Sequence, residues 1–134
     1  MSQTIRHQTS RAVIFREASK SVTVAGTTTI TAVELEGQQQ MGFGITNTAG
    51  GGALDAFAIN FKYHPDGAYF TVANAAASFT TPVWPVLNIT TDIVTLAAGA
   101  SAGVVLDVRG VYAVQFTGSA AVNPAIITIE GEAR

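Results

Sequence analysis

Ala56-Phe57-Ala58-Ile59-Asn60-Phe61-Lys62-Tyr63-His64-Pro65-Asp66-Gly67 is the stretch whose reading decides the fold. Phe57, Ile59, Phe61 and Tyr63 take every second position and alternate with Ala56, Ala58, Asn60 and Lys62. A strand turns successive side chains to opposite faces, so the four large residues share one face, which is predicted to be core. A helix would spread them around its circumference. His64-Pro65-Asp66-Gly67 then reads as a tight turn, because Pro presets φ and Gly accepts the positive φ that closes a hairpin. Ala68 to Ala73 returns as the partner strand.

The same pattern continues in both directions from this hairpin. Upstream, Ala12 to Phe15 reads as a first strand or extended clamp, Ser21 to Ala25 as a second strand ending at Gly26, and Thr27 to Glu36 as a longer Thr-rich strand. Gly37 with Gln38-Gln39-Gln40 is read as a polar turn, Met41 to Asn47 as a strand, and Thr48 to Gly52 as a loop. Downstream, Pro82 and Pro85 around Trp84 forbid an internal strand, so 75–86 is predicted to cross between two sheets. Strands are expected at Leu87 to Thr90, Ile93 to Leu96, Val104 to Val108, Val111 to Thr117 and Ala125 to Glu130. About nine short strands with turns every eight to twelve residues suit a two-sheet sandwich. The predicted fold is all-β: a single antiparallel β-sandwich, jelly-roll or Ig-like, over 21–134, preceded by an extended basic N-terminal arm over 1–20.

Composition agrees with one domain that is covered by others. The chain has 134 residues, of which 48% are hydrophobic, enough for one core, and 12% charged, against roughly 25% in an ordinary soluble domain. Its exterior must therefore be built from Thr, Ser, Asn, Gln, Gly and Ala, which a neighbour can bury with little desolvation of charge. A free-standing β domain with a Thr-rich exterior would share this composition. The net charge of −2 supplies no general attraction to nucleic acid or to anionic membrane. Four of the seven basic residues, Arg6, Arg11, Arg16 and Lys20, nevertheless fall in the first twenty positions, where Glu17 is the only acid. Absence of Cys excludes disulfides and thiolate metal sites and fits assembly in a reducing cytoplasm. Met1 to Arg11 has no apolar run behind a basic end, and no stretch of about 18 apolar residues occurs, so neither a secretion signal nor a membrane span is expected. Without a secretory route, Asn88-Ile89-Thr90 is a chance match to the glycosylation pattern.

No set of catalytic residues stands out, and neither a cofactor nor a metal is expected. The two histidines lie in the arm (His7) and in a turn (His64), and no Ser sits in a Gly-x-Ser-x-Gly elbow. Asp55, Asp66, Asp92 and Asp107 fall near strand ends, where Asp is usually a turn former rather than half of a catalytic pair or a cation ligand. Gly50-Gly51-Gly52 resembles a phosphate loop only superficially, because a strand and not a helix follows. Two features remain as candidates. Ile5, Arg6, Arg11, Arg16 and Lys20 of the arm, with Arg6, Arg11 and Arg16 five residues apart, suit several contacts along an extended path over a partner. Trp84, Tyr69 and Tyr112, with Tyr63, could form an aromatic platform for a sugar ring, although such residues more often serve core or interface.

Two segments and the C-terminal strand also carry a resemblance. Asn47-Thr48-Ala49-Gly50-Gly51-Gly52-Ala53-Leu54-Asp55-Ala56-Phe57 leading to His64-Pro65-Asp66-Gly67 is the first. Leu96-Ala97-Ala98-Gly99-Ala100 followed by Leu106-Asp107-Val108-Arg109-Gly110-Val111-Tyr112-Ala113-Val114 is the second. With Ile127-Thr128-Ile129-Glu130-Gly131, they resemble small β-sandwich virion proteins of tailed bacteriophages, the head decoration or minor structural type, over roughly 41–134. The resemblance implies a capsid cement protein on the outer surface of the virion, assembled in the host cytoplasm. It further implies contact with the major capsid protein, a homo-oligomer (a trimer), no enzymatic activity, and no nucleic-acid or membrane partner. A tail, neck or fibre position and a carbohydrate-binding module are the alternatives.

Overall fold

The computed structural model describes residues 11–74, 83–90, 93 and 95–134. Within them the chain forms β1 (Val13–Val22), β2 (Thr28–Glu34), β3 (Gln40–Asn47), β4 (Leu54–Lys62), β5 (Phe70–Asn74), β6 (Val86–Ile89), β7 (Ser101–Asp107), β8 (Ala113–Ala120) and β9 (Ala125–Ala133). They build a five-stranded sheet in the order β1-β9-β3-β7-β6 and a four-stranded sheet in the order β2-β8-β4-β5. Every pairing is antiparallel. The two sheets pack face to face as the expected β-sandwich. β5 and β6 lie in different sheets, so the chain does cross between them over the proline-bounded segment.

Alternation sets the core. Met41, Phe43 and Ile45 of β3 and Ile127 and Ile129 of β9 meet Phe57, Ile59 and Phe61 of β4 and Val114 and Phe116 of β8, all buried. Phe116 is the hub, with ring centroids 4.8 Å from Phe43, 6.1 Å from Phe15 and 6.2 Å from Phe57. Such ring pairs add to the gain from area burial. In β4, Leu54 and Phe57 both point inward although three positions separate them. A bulge between Asp55 and Ala58, with Ala56 at φ 50°, inserts the extra residue that resets the phase.

Three expectations are corrected. The arm does not extend to residue 20: Val13–Val22 is one strand hydrogen-bonded to β9, so the strand read at Ala12 to Phe15 runs on through Ser21 and Val22, while Thr23 to Ala25 lie beyond its end. A bulge between Glu17 and Lys20, with Ser19 at φ 53°, breaks their alternation and hid the continuity. Tyr63 is 48% exposed, because it lies past the end of β4, where the opposite sheet no longer covers the core face. Gln38, read as part of a polar turn, is buried: its Oε1 accepts the Glu36 N–H and its Nε2 donates to the Arg11 carbonyl at 2.8 Å. It ties the chain entering β1 to the start of β3. Of the strand expected at Ile93 to Leu96, the described residues show buried Ile93 and a single bridge between Leu96 and Leu54.

Candidate interaction surfaces

Ile5 and Arg6 lie outside the described residues, as do His7 and Asp92. Arg11 is exposed just before β1, and Arg16 and Lys20 lie within β1. Arg16 Nε donates to Glu130 Oε1 at 2.7 Å across the β1–β9 pair, so its charge is already matched within the chain. An exposed pair of this kind contributes about 0.2–1 kcal/mol. The local basic excess near β1 therefore rests on the other members of the set.

The outer face of the five-stranded sheet carries a long trench. Its apolar end is a groove of about 550 Å³ between Ile14, Arg16, Glu130 and Glu132, floored by Gly42 and Gly44 of β3. Glycines at two successive outward positions leave bare backbone where side chains would otherwise stand, and a Cβ at Gly42 would meet nothing within 4 Å. Ile14, at 79% exposed, is an apolar residue standing free at the rim. A section of about 360 Å³ lined by Gln40, Gly42, Glu132 and Arg134 continues the trench. It reaches a polar end of about 440 Å³ lined by Gln39, Gln40, Leu87, Asp107, Arg109 and Arg134.

The three aromatic candidates do not form one platform. Trp84 packs edge-on against Phe61 at 6.4 Å, and Phe61 in turn meets Tyr63, which meets Phe70. These rings are on the core side of β4, at the open end of the sandwich. Tyr69 and Tyr112 instead flank the ammonium of Lys62, 5.3 and 5.9 Å from its Nζ. Lys62 neighbours Phe61 in the strand, so its side chain is on the opposite face. Burial, followed by the nearby Glu34 carboxylate, raises both phenol pKa values.

Asp107 organises the polar end, and sequence reasoning had assigned it only a turn role. Its side chain is buried; Oδ1 accepts from Arg109 Nε at 2.9 Å and from the Arg109 backbone N–H, while Oδ2 accepts from Arg109 Nη2 at 2.8 Å and Trp84 Nε1 at 3.1 Å. The Asp107 N–H also donates to the Pro85 carbonyl, so the Trp84-Pro85 turn is held from two sides. The Arg109 side chain, then the Arg109 backbone N–H, with help from Trp84, hold the Asp107 carboxyl far below the usual carboxylate range against the opposing effect of burial. The folded state thus binds fewer protons than the unfolded chain at acid pH. The stability this carboxylate contributes is complete above about pH 4 and is lost as pH falls below it. Asp107→Asn is expected to flatten the decline of the urea midpoint between about pH 4 and pH 2; an unchanged slope would place the acid sensitivity elsewhere. The only sequence signal was the Asp-x-Arg spacing, which says nothing about Trp84, 23 residues away.

Asp55 accepts the Thr95 hydroxyl at 2.9 Å, and the Asp66 N–H donates to His64 Nδ1 within the turn. Among the described residues no three His, Cys, Asp or Glu side chains converge as a metal site would require, and no helix is long and apolar enough to cross a membrane.

Comparison with known protein families and with curated sequences gives no match. Among solved structures, the fold is similar to the crystal structure of the SPBc2 prophage-derived protein YomS, with a TM-score of 0.53 at 8% identity, covering 96% of this chain and 99% of that one. At this identity the likeness is one of fold, and it extends over both chains almost entirely.

Proposed function

We propose that the chain is a structural protein of a tailed-bacteriophage particle, a head decoration protein that binds the outer face of the major capsid protein lattice and reinforces it. The observation that carries this reading is the apolar end of the trench. A glycine-floored groove beside a freely exposed Ile14 adjoins the strand into which the basic N-terminal segment runs. The side-chain-poor floor of this groove can be covered by another protein, and the Arg16 and Glu130 charges at its edge are already paired with each other. The prophage origin of a protein of similar fold supports the phage setting, and the scarcity of charged residues supports burial among copies of the chain, as a homo-oligomer. Binding to the assembled lattice and not to free subunits would stabilise the shell by mass action.

Because β1 begins at Val13, the test deletes only residues 1–10, which leaves the strand and the Gln38 contact to Arg11 in place. A second variant, Gly42→Leu, fills the groove where a new Cβ meets nothing. Both are expected to lower occupancy on isolated heads by about tenfold or more, the equivalent of roughly 1.4 kcal/mol of binding. Full occupancy by both variants would overturn the reading, and labelled protein found at the tail or neck by particle imaging would move it to another virion position.

A further inference from the structure

We propose that the polar end of the trench, together with the neighbouring Trp84 indole, is a binding site for a neutral oligosaccharide. The inference goes beyond the capsid reading and stands or falls separately from it. Saccharide recognition needs planar hydrogen-bonding groups that match vicinal hydroxyls, together with an apolar surface for the C–H face of the ring. Gln39 and Gln40 supply amides that can both donate and accept, and Arg109 and Arg134 supply guanidinium forks, all lining one cleft. Leu87 supplies the apolar part of the lining, and the indole of Trp84, 59% exposed, stands next to the cleft through its hydrogen bond to Asp107.

Two features make this a site and not a collection of surface side chains. Its components are fixed in advance, since Trp84 Nε1 and the Arg109 guanidinium both hydrogen-bond to the buried Asp107 carboxylate and the indole also packs edge-on against Phe61, while more than half of the indole stays exposed. Preorganised groups lose less entropy on binding. Its charges are also balanced: Arg109 pairs with Asp107 at 2.8 Å and Arg134 with Glu132 at 2.8 Å. A phosphate or sulfate would find no net positive field, whereas an uncharged polyol gains hydrogen bonds from charged partners without competing for them. The cleft continues into the section lined by Gln40, Gly42, Glu132 and Arg134, which gives room for more than one sugar unit.

Trp84 is the only tryptophan, so its fluorescence reports on the site directly. The experiment screens the full chain on an array of neutral glycans. It then titrates soluble hexasaccharides of glucose, N-acetylglucosamine and galactose, with any further array hit, following the emission of Trp84. A saturable change that survives raising the salt from about 0.05 to about 0.5 M is expected. Calorimetry should show about tenfold weaker binding by Trp84→Ala and by Gln40→Ala, the second of which removes an exposed side chain and leaves the indole in place. The proposal is overturned if no neutral glycan binds, or if binding is salt-sensitive and displaced by inorganic sulfate, which would make it an anion site. Undiminished binding by both variants would also overturn it, as would emission that responds to phage heads and to no glycan, which would make Trp84 a protein contact.

Discussion

Asn47→Asp is expected to destabilise the fold by about 3–5 kcal/mol at neutral pH, the cost of leaving an uncompensated charge in a protein interior. Asn47 ends β3 fully buried, and its Nδ2 donates to the carbonyls of Gly52 and Leu96, each at 2.9 Å. Its backbone adds two further bonds, from its N–H to the Ala100 carbonyl and from the Gly99 N–H to its own carbonyl. One residue thus binds the loop before β4 and the loop before β7 to the end of the core. A carboxylate there has no proton to give either side-chain partner and faces two carbonyl oxygens. Asn47→Ala, which removes the donors without adding charge, should cost less, about 2 kcal/mol.

The two variants also differ in their response to pH. The introduced carboxyl would have a folded-state pKa raised by burial above its unfolded value of about 3.9, so its penalty is greatest at neutral pH and shrinks as acid protonates it. Urea denaturation at neutral and mildly acid pH checks both statements. Equal losses for Asp and Ala, with no pH dependence of the difference, would show that Asn47 acts through its shape alone.

Gly131→Ala is the second large effect, expected at about 3 kcal/mol or more, the upper part of the range for overpacking a core. Gly131 lies in β9 between Phe15 of β1 and Phe43 of β3. A Cβ there would collide with the Gly42 carbonyl oxygen and come within 2.8 Å of both the Phe15 ring and the Phe43 Cα. Two of these obstacles are backbone in the middle of a sheet and cannot move without disturbing its ladder. Phe15 is held in turn by its stacking on Phe116. Gly42→Ala is the matched control, one strand away, with open space above its Cα. It should be neutral or stabilising by up to about 1 kcal/mol, because Ala loses less chain entropy on folding. Thermal and urea unfolding of the pair would decide the matter, and comparable losses from both would mean that any side chain is excluded from this part of the sheet.

These glycines show where sequence reading reaches its limit. Gly42, Gly44 and Gly131 look alike in the sequence, and none lies in a turn signature. Only the register, which sets Gly131 against Phe43 and Gly42 against Glu132, separates a glycine demanded by close approach from two that leave a groove open. Asn47 illustrates the same limit. Its position before Thr48-Ala49-Gly50 suggested the end of a strand, correctly, but its two side-chain partners come from loops brought together by β4 and β7.

The sandwich itself was legible because it depends on local periodicity. Phe57, Ile59 and Phe61 alternate with small or polar residues, and burying them on one face requires a second layer, whatever the strand order. The crossover around Pro85 and the His64 to Gly67 turn were readable for the same reason, since proline's restrictions lie within a few bonds of it, although Gly67 closes the turn through its N–H to the His64 carbonyl without the positive φ expected of it. Strand order, the pairing of β1 with β9 from the far end of the chain, the division of Trp84 from Tyr69 and Tyr112, and the clasp of Asp107 on Trp84 and Arg109 were decided by the tertiary structure. Long-range hydrogen bonding and packing choose among many arrangements with the same alternation. Bulges at Ser19 and Ala56 also shift the phase within strands where the residue pattern gives no warning.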